Sequence, residues 1–107
     1  MSSINTSPAA ALNSSRLPPE TLARLCKALG HPARMAIIGF LKDNDLGLCG
    51  RIVDHLPLAQ STVSQHLRYL KECGLITGEV GGASRGYCLN RPLMAQLQRS
   101  LSELLTC

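Results

Sequence analysis

The sequence predicts a mainly helical domain that carries one small β-hairpin. Apolar residues recur with helical spacing along most of the chain. Aromatic residues make up only 3% of the composition, so the core must be aliphatic, and the abundance of Leu and Ala favours helices. One stretch near residue 80 has strand character around a glycine-rich tip. The 107 residues suit one domain, which we divide into a flexible tail over 1–17 and a folded domain over 18–107.

The first two predicted helices each begin at proline and carry an apolar stripe. The proline pair 18–19 precedes the first helix, and Gly30 ends it. Its apolar residues have the i, i+3, i+4, i+7 spacing of an amphipathic helix. They are Leu22, Leu25, Cys26 and Leu29. A second helix begins at Pro32 and runs to about Lys42, where the polar turn 43–45 follows.

Two helices joined by a tight turn occupy the middle of the chain and predict a helix-turn-helix. The first helix is short and covers 49–56, and the second runs from about Gln60 to Cys73. The turn between them is Leu56-Pro57-Leu58-Ala59. Gly74 lies where a left-handed C-terminal cap is expected.

A β-hairpin is predicted directly after this second helix. Residues 75–80 and 85–89 have strand character, and the tip 81–84 separates them. The stretch 46–48, before the helix-turn-helix, is too short for a helix and suits a single β-bridge. Because a hairpin after a helix-turn-helix forms a wing, the predicted fold is a winged helix-turn-helix.

The last predicted helix, over 92–105, carries an apolar stripe at near-heptad spacing. The stripe consists of Leu93, Met94, Leu97, Leu101, Leu104 and Leu105. Little chain remains to cover it, so we predict that this stripe forms a helical dimer interface. The alternative is packing of this stripe on the first helix of the same subunit.

The helix over 60–73 carries polar side chains on the faces that its apolar stripe leaves free. The apolar stripe is Val63, Leu67 and Leu70. The polar residues are Ser61, Thr62, Ser64, Gln65, His66 and Arg68. Hydroxyls near a helix N-terminus can donate to phosphates, while Gln65 suits adenine and Arg68 suits guanine or a phosphate. Arg85, at the end of the wing tip, would reach a neighbouring phosphate or the minor groove.

These side chains predict double-stranded DNA as the partner. The net charge of +4 is compatible with a polyanion. The alternative is an ordinary solvated helix face, since polar residues are expected on any exposed surface.

Three segments resemble the ArsR/SmtB family of bacterial winged-helix repressors. They are LCKALGHPARMAIIGFL, LCGRIVDHLPLAQSTVSQHLRYLKECGLI and GEVGGASRGYCLN, which together cover about residues 20–90. The resemblance implies a homodimer built on the first and last helices, an operator with an inverted repeat, and an inducer that weakens DNA binding. By position, it assigns DNA recognition to the six polar residues above and to Arg85. Ala59 departs from the family pattern, where a Ser-type helix cap is usual.

The resemblance also implies a metal or metalloid inducer, but the usual ligand patterns are incomplete. Residues 91–107 contain no histidine and only Glu103 as a carboxylate, so zinc ligands are missing from the last helix. Cys49 is followed by Gly50-Arg51, where an arsenic site of the Cys-x-Cys type would need another cysteine. The three histidines are scattered in sequence, which disfavours a histidine site.

The cysteines suggest a different site for the inducer. Pairing of 46–49 with 87–89 would bring Cys49 and Cys88 together in one subunit. Two thiolates there could bind As(III) or Sb(III), with a further ligand from elsewhere, or form a disulfide. Cys26 and Cys107 form a second candidate pair, because the first and last helices should pack together. Packing of these thiols as small apolar side chains is the alternative.

The sequence therefore predicts a homodimeric transcriptional repressor that releases its operator when As(III) or Sb(III) binds, and that needs no cofactor to bind DNA. Thiol-based redox or reactive-sulfur sensing by the same cysteines is one alternative. A winged-helix module that binds proteins and not DNA is another. An enzyme is disfavoured because the sequence has no phosphate loop, GxSxG motif or paired carboxylates. Neither a membrane span nor a secretory signal is recognisable, so we expect a cytoplasmic protein without a membrane partner.

Overall fold

The computed structural model describes residues 16–44, 47–78 and 86–106, and at 47–50 it describes the backbone alone. The elements in chain order are α1 (Pro19–Leu29), α2 (Pro32–Asp43), β1 (Gly47–Leu48), α3 (Cys49–His55), α4 (Gln60–Glu72), β2 (Ile76–Gly78), β3 (Gly86–Leu89) and α5 (Arg91–Leu105). This order confirms the mainly helical fold with a small hairpin. The predicted tail up to residue 15, the wing tip with Arg85, and Cys107 lie outside the described residues.

The ends of α1 and α2 follow from the residues that the sequence places there. Pro19 and Pro32 fit the helix starts because proline lacks the N–H that would have no partner in a first turn. His31 caps α2, since its Nδ1 accepts a hydrogen bond from the backbone N–H of Ala33 at 3.0 Å. Gly30 caps the end of α1. Both helices therefore begin and end within one residue of the positions predicted.

The hydrophobic core is aliphatic and draws on every helix. Its fully buried large side chains are Leu25, Ile37, Leu41, Ile52, Val63, Leu67, Leu70, Leu75 and Ile76. Tyr87 on β3 is also buried there. With Leu97 of α5, this set buries part of the apolar surface of every helix and so restricts the orientation of each helix about its own axis.

The three strands form an antiparallel sheet in the order β1-β3-β2. In the hairpin, Ile76 faces Leu89 and Gly78 faces Tyr87. A side chain at Gly78 would meet the Tyr87 ring, because a Cβ there would lie 2.5 Å from Cδ1. The predicted pairing of the short strand β1 with the second hairpin strand is confirmed.

The register of this pairing corrects one expectation. Gly47 faces Tyr87 and Leu48 faces Gly86. Cys88 follows Tyr87 in β3, and Cys49 follows Leu48 of β1. Because the two strands are antiparallel, the cysteines lie beyond opposite ends of the paired segment. Their offset along the strands is roughly 10 Å at the rise of a β-strand. The strand pairing therefore does not bring Cys49 and Cys88 of one subunit side by side, since a disulfide needs Cα atoms within about 7 Å.

Asn90 joins the end of α4 to the start of α5. Its side-chain oxygen accepts a hydrogen bond from the N–H of Leu93 at 3.3 Å and so caps α5. Its amide donates to the carbonyl oxygen of Gly74 at 2.9 Å, and its backbone N–H donates to the carbonyl of Leu75 at 2.9 Å. Gly74 has a φ of 87°, the left-handed conformation that the sequence predicted for it.

Helices α1 and α5 pack together, and residues before α1 belong to this packing. The N–H of Leu17 donates to the hydroxyl of Ser100 at 2.7 Å, and the Leu17 side chain packs against the core. Arg16 forms an ion pair with Glu103. Leu17, which we assigned to the tail, is thus part of the packed domain. Within the described ranges, no helix is long and apolar enough to cross a membrane.

Candidate nucleic-acid interface

Helix α4 is anchored in the core by one face and turns the opposite face outward. Val63, Leu67 and Leu70 are fully buried. These three side chains limit the rotation of α4, because a large turn about its axis would expose them. The polar residues between them are therefore held in a defined direction.

The predicted recognition residues divide into two groups by exposure. Ser61, Gln65 and Arg68 are exposed on the outer face of α4. The other three, Thr62, Ser64 and His66, are half-buried. Three donor-bearing side chains, spaced by one turn of the helix, can thus reach a partner together.

The start of α4 is open, as the sequence indicated. Ala59 occupies the N-cap position in an extended conformation and makes no side-chain hydrogen bond to the helix. The first turn of α4 carries no acidic residue. Backbone N–H groups at such a helix start favour an anion, which is compatible with a phosphate close to Ser61 and Thr62.

Arg34, at the start of α2, contacts the side of α4. The Arg34 Nη1 donates toward Nδ1 of His66 over a long contact of 3.5 Å. The guanidinium carbon lies 4.4 Å from the ring centroid of Tyr69, in the geometry of a cation–π interaction. The rings of His31 and His66 also lie close together, with centroids 4.5 Å apart. We call His31, Arg34, His66 and Tyr69 the Arg34 cluster.

The surroundings of His66 disfavour its protonated form. Burial lowers the pKa of His66 below its ordinary value of 6.5, and the nearby His31 and Arg34 lower it further. Since a guanidinium can only donate hydrogen bonds, Nδ1 of His66 acts as the acceptor. His66, predicted to face DNA with the other polar residues, is instead held against α2.

Sequence reasoning missed the contacts that Arg34 of α2 makes with His66 and Tyr69 of α4. The segment around Arg34 contributed only to the helix pattern and to the resemblance. Arg34 and His66 are 32 positions apart. No periodicity connects residues at such a separation, and only the packing of α2 on α4 brings them into contact.

The described cysteines are free thiols and differ in what surrounds them. Cys26, Cys73 and Cys88 are each half-buried. Cys26 and Cys73 pack against the hydrophobic core, as small apolar side chains do. Cys88 lies on β3 opposite Thr77 of β2. Within the part of the chain that the structure describes, no three His, Cys, Asp or Glu residues come close enough together to hold a metal ion.

Comparisons with known proteins agree with this architecture. A family model described as "Bacterial regulatory protein, arsR family" matches residues 31–77. The HTH-type transcriptional regulator CmtR of Mycobacterium tuberculosis is 40% identical over 85 residues, which are 78% of this chain and 67% of CmtR. The arsenical resistance operon repressor of Staphylococcus xylosus is 28% identical over 80 residues, which are 75% of this chain and 76% of that protein.

A solved structure has the same fold. The crystal structure of an ArsR family transcriptional regulator matches with a TM-score of 0.73 at 21% identity. The match covers 83% of this chain and 91% of that one. The relatives named above are transcriptional regulators and a repressor, not enzymes. This chain has a winged helix-turn-helix and is 40% identical to CmtR over 67% of the length of CmtR. It therefore belongs to the ArsR family of bacterial transcriptional regulators.

Proposed function

We propose that this protein is a homodimeric, cytoplasmic repressor that binds operator DNA through α4 and the wing and releases it when a thiophilic metalloid binds. The observation that carries the proposal is the outer face of α4. There Ser61, Gln65 and Arg68 are exposed while Val63 and Leu67 are buried on the opposite side. A rigidly anchored helix with convergent donors on its free face suits the major groove of DNA.

The proposed contacts follow from the chemistry of each side chain. Gln65 and Arg68 read base edges, because their amide and guanidinium groups can bond to adenine and guanine through two atoms. Ser61, Thr62 and Ser64 contact phosphates near the start of α4. Arg85 contacts the backbone or the minor groove from the wing. His66 acts indirectly, since it faces Arg34.

The dimer would use α1 and α5. Leu104 and Leu105 at the end of α5 are 67% and 73% exposed, an unusual position for large apolar side chains. A cavity of about 550 Å³ lies beside them and is lined by Leu22, Ala23 and Cys26 of α1. A two-fold dimer formed on this face would present two copies of α4, which matches an operator with an inverted repeat.

The inducer is proposed to be As(III) or Sb(III), held by thiolates. Thiolates are the preferred ligands of such soft ions, and the Staphylococcus xylosus relative is named an arsenical resistance operon repressor. Cys49 and Cys88 remain the first candidate ligands, although thiols from two subunits, or a shift at the start of α3, would have to bring them together. Cys26 and Cys107 are the second candidate pair. Binding near β3 would move the wing relative to α4 and so weaken DNA binding.

The experiment is fluorescence anisotropy of the reduced protein on DNA from its own promoter, titrated with As(III), Sb(III), Zn(II) and a mild oxidant. The variants are Cys49→Ser, Cys88→Ser and Cys26→Ser, with Cys73→Ala as the control for a thiol that packs in the core. Release by As(III) or Sb(III), blocked by Cys49→Ser or Cys88→Ser, supports the proposal. A block by Cys26→Ser alone moves the site to the second candidate pair.

The other outcomes separate the alternatives. Release by the oxidant alone favours a thiol redox or reactive-sulfur sensor. If the protein binds DNA tightly and none of the four agents reverses the binding, the proposed metalloid inducer is wrong. The proposed role as a DNA-binding repressor is then unaffected. If the protein does not bind DNA in a salt-dependent manner, a winged-helix module that binds proteins becomes the better account.

A further inference from the structure

The side chain of Arg34 bridges the end of α1 and the middle of α4. Its Nε donates to the carbonyl oxygen of Ala28 at 2.6 Å, and its Nη2 donates to the carbonyl oxygen of Lys27 at 3.3 Å. Its Nη1 approaches Nδ1 of His66, and its plane lies over the ring of Tyr69. One guanidinium thus contacts two other helices through all three of its nitrogens and its face.

The contacts with α1 have a clear physical basis. The last carbonyl groups of an α-helix have no N–H partner within the helix and carry partial negative charge. The Arg34 guanidinium donates to two carbonyls of the last turn of α1: that of Ala28, and that of Lys27, which also accepts from the backbone N–H of Gly30 at 3.1 Å. These two hydrogen bonds hold the guanidinium against α1, and its other contacts are with α4.

The contacts with α4 lie directly beside the proposed DNA contacts. His66 and Tyr69 are three positions apart, so they lie on one side of the helix. His66 follows Gln65 in the chain, and Tyr69 follows Arg68. Any rotation of α4 that carried His66 and Tyr69 away from Arg34 would carry Gln65 and Arg68 with it.

Arginine is the residue type that this arrangement requires. Its planar guanidinium offers five N–H donors in fixed directions and a face that stacks on an aromatic ring. A lysine ammonium carries the same charge but is a single point on a flexible stem. It cannot reach both carbonyls of α1, His66 and the face of Tyr69 together.

We propose that Arg34 is a positioning residue for DNA recognition, which sets the rotation of α4 relative to α1 and thereby the preference for operator over other DNA. The inference rests on the proposed function, because it assumes that α4 reads DNA. It adds a residue that touches no base and that controls specificity through the α1–α4 junction.

The test compares Arg34→Lys and Arg34→Ala with the wild-type protein on operator DNA and on a scrambled duplex of the same length. Arg24→Lys, at an exposed position of α1, is the matched control. Tyr69→Leu is the second variant, because it removes the ring face and keeps an apolar side chain. Affinities are corrected for the folded fraction, measured by circular dichroism on the same samples.

We expect Arg34→Lys, Arg34→Ala and Tyr69→Leu to lower the ratio of operator to scrambled affinity by roughly 2- to 30-fold, the range of effects transmitted through packed side chains. Affinity for the scrambled duplex should stay at the wild-type value for Arg34→Lys, since its charge is retained. Arg24→Lys should match the wild type on both duplexes. A purely structural role would lower both affinities in proportion to the folded fraction and leave their ratio unchanged.

Two results overturn the inference and are distinguishable. If the wild-type protein prefers its operator and the folded Arg34 and Tyr69 variants keep the same ratio, the positioning role is wrong while the proposed function stands. If the wild-type protein itself shows no preference for operator DNA, the proposed function fails and this inference fails with it.

Discussion

Gln65 and Arg68 differ from the residues beside them in the chain by what they contact. Both are exposed on the outer face of α4, whereas His66 and Tyr69 contact Arg34. The exposed pair keeps its donors available for a partner, and the neighbouring pair holds the helix in place. In the proposed account, adjacent residues on two sides of α4 thus serve recognition and positioning.

Arg68→Ala should weaken operator binding by about 1–3 kcal/mol, the cost expected for a lost contact to a base. Arg68→Lys is the matched control, because it keeps the charge and loses the two-atom contact with guanine. Anisotropy titrations on operator DNA measure both variants. If Arg68→Ala binds the operator as tightly as the wild type, α4 does not dock as proposed here.

The stability of the protein should fall in mildly acidic solution because of His66. Its pKa in the folded protein is lower than 6.5, through burial first and then His31 and Arg34. Below pH 6.5 the unfolded chain therefore binds more protons at this site than the folded protein does. This part of the stability is present above pH 6.5, declines as the pH falls through that value, and levels off below the folded pKa.

His66→Asn tests this pH dependence, because an asparagine oxygen can accept from Arg34 and does not titrate. Urea unfolding of wild type and variant between pH 8 and 5 provides the free energies of unfolding. The wild type should lose stability relative to the variant as the pH falls. Parallel curves for the two proteins would contradict the assigned role of burial and of the neighbours His31 and Arg34.

At the scale of elements, polar contacts hold α4 at its middle and just after its C-terminal end, in addition to its apolar stripe. The Arg34 cluster acts on its middle from α1 and α2, and Asn90 joins the turn after α4 to the start of α5. These contacts connect α4 with both helices of the proposed dimer interface. We therefore expect a structural change at that interface to affect α4 through the Arg34 cluster and through Asn90.

Asn90→Ala should destabilise the protein more than Asn90→Ser does. The alanine variant loses the cap on α5, which costs about 1 kcal/mol, and the hydrogen bond to Gly74, which costs about 1 kcal/mol more. Serine is also a good N-cap residue, so its variant loses only the second contact. Urea unfolding at neutral pH measures the difference. Equal losses in the two variants would mean that Asn90 does not stabilise α5 as a cap.

The sequence predicts elements well where a local signal marks them. Proline and glycine mark the ends of α1, and Gly74 adopts the left-handed conformation expected of it. The strand register and the Arg34 cluster were not predictable, because neither has a local signal. A shift of three residues in the register of β1 against β3 leaves the sequence of both strands unchanged and yet decides whether Cys49 faces Cys88. Arg34 is identified as a positioning residue only when the packing of α2 on α4 is known.

At the scale of the whole molecule, the end of α5 leaves two large apolar side chains, Leu104 and Leu105, exposed in a single subunit. Leu104 lies beside the cavity that Leu22 and Cys26 of α1 line. Its exposure would be removed if a second subunit packed on α1 and α5. A symmetric dimer would also place two recognition helices on one side of the molecule, as an inverted repeat requires.

Leu104→Glu should raise the dissociation constant of the dimer at least about tenfold, because burying a leucine side chain contributes about 1.5–3 kcal/mol. Gln98→Glu adds the same charge to α5 at a position that lines a different cavity, toward Ile38 and Lys42 of α2. It should leave the dissociation constant near the wild-type value. Sedimentation equilibrium measures both, and a wild-type protein that stays monomeric at micromolar concentration would rule out the proposed interface.

The measurement that tests the central claim most directly is the affinity of the reduced wild-type protein for promoter DNA and for a scrambled duplex, at several salt concentrations. The account predicts a preference for promoter DNA of about 10³-fold or more, as specific DNA-binding proteins show. It also predicts that binding to both duplexes weakens as salt rises, because lysine and arginine release counterions from phosphates. Equal, weak affinity for both duplexes would contradict sequence-specific recognition by α4.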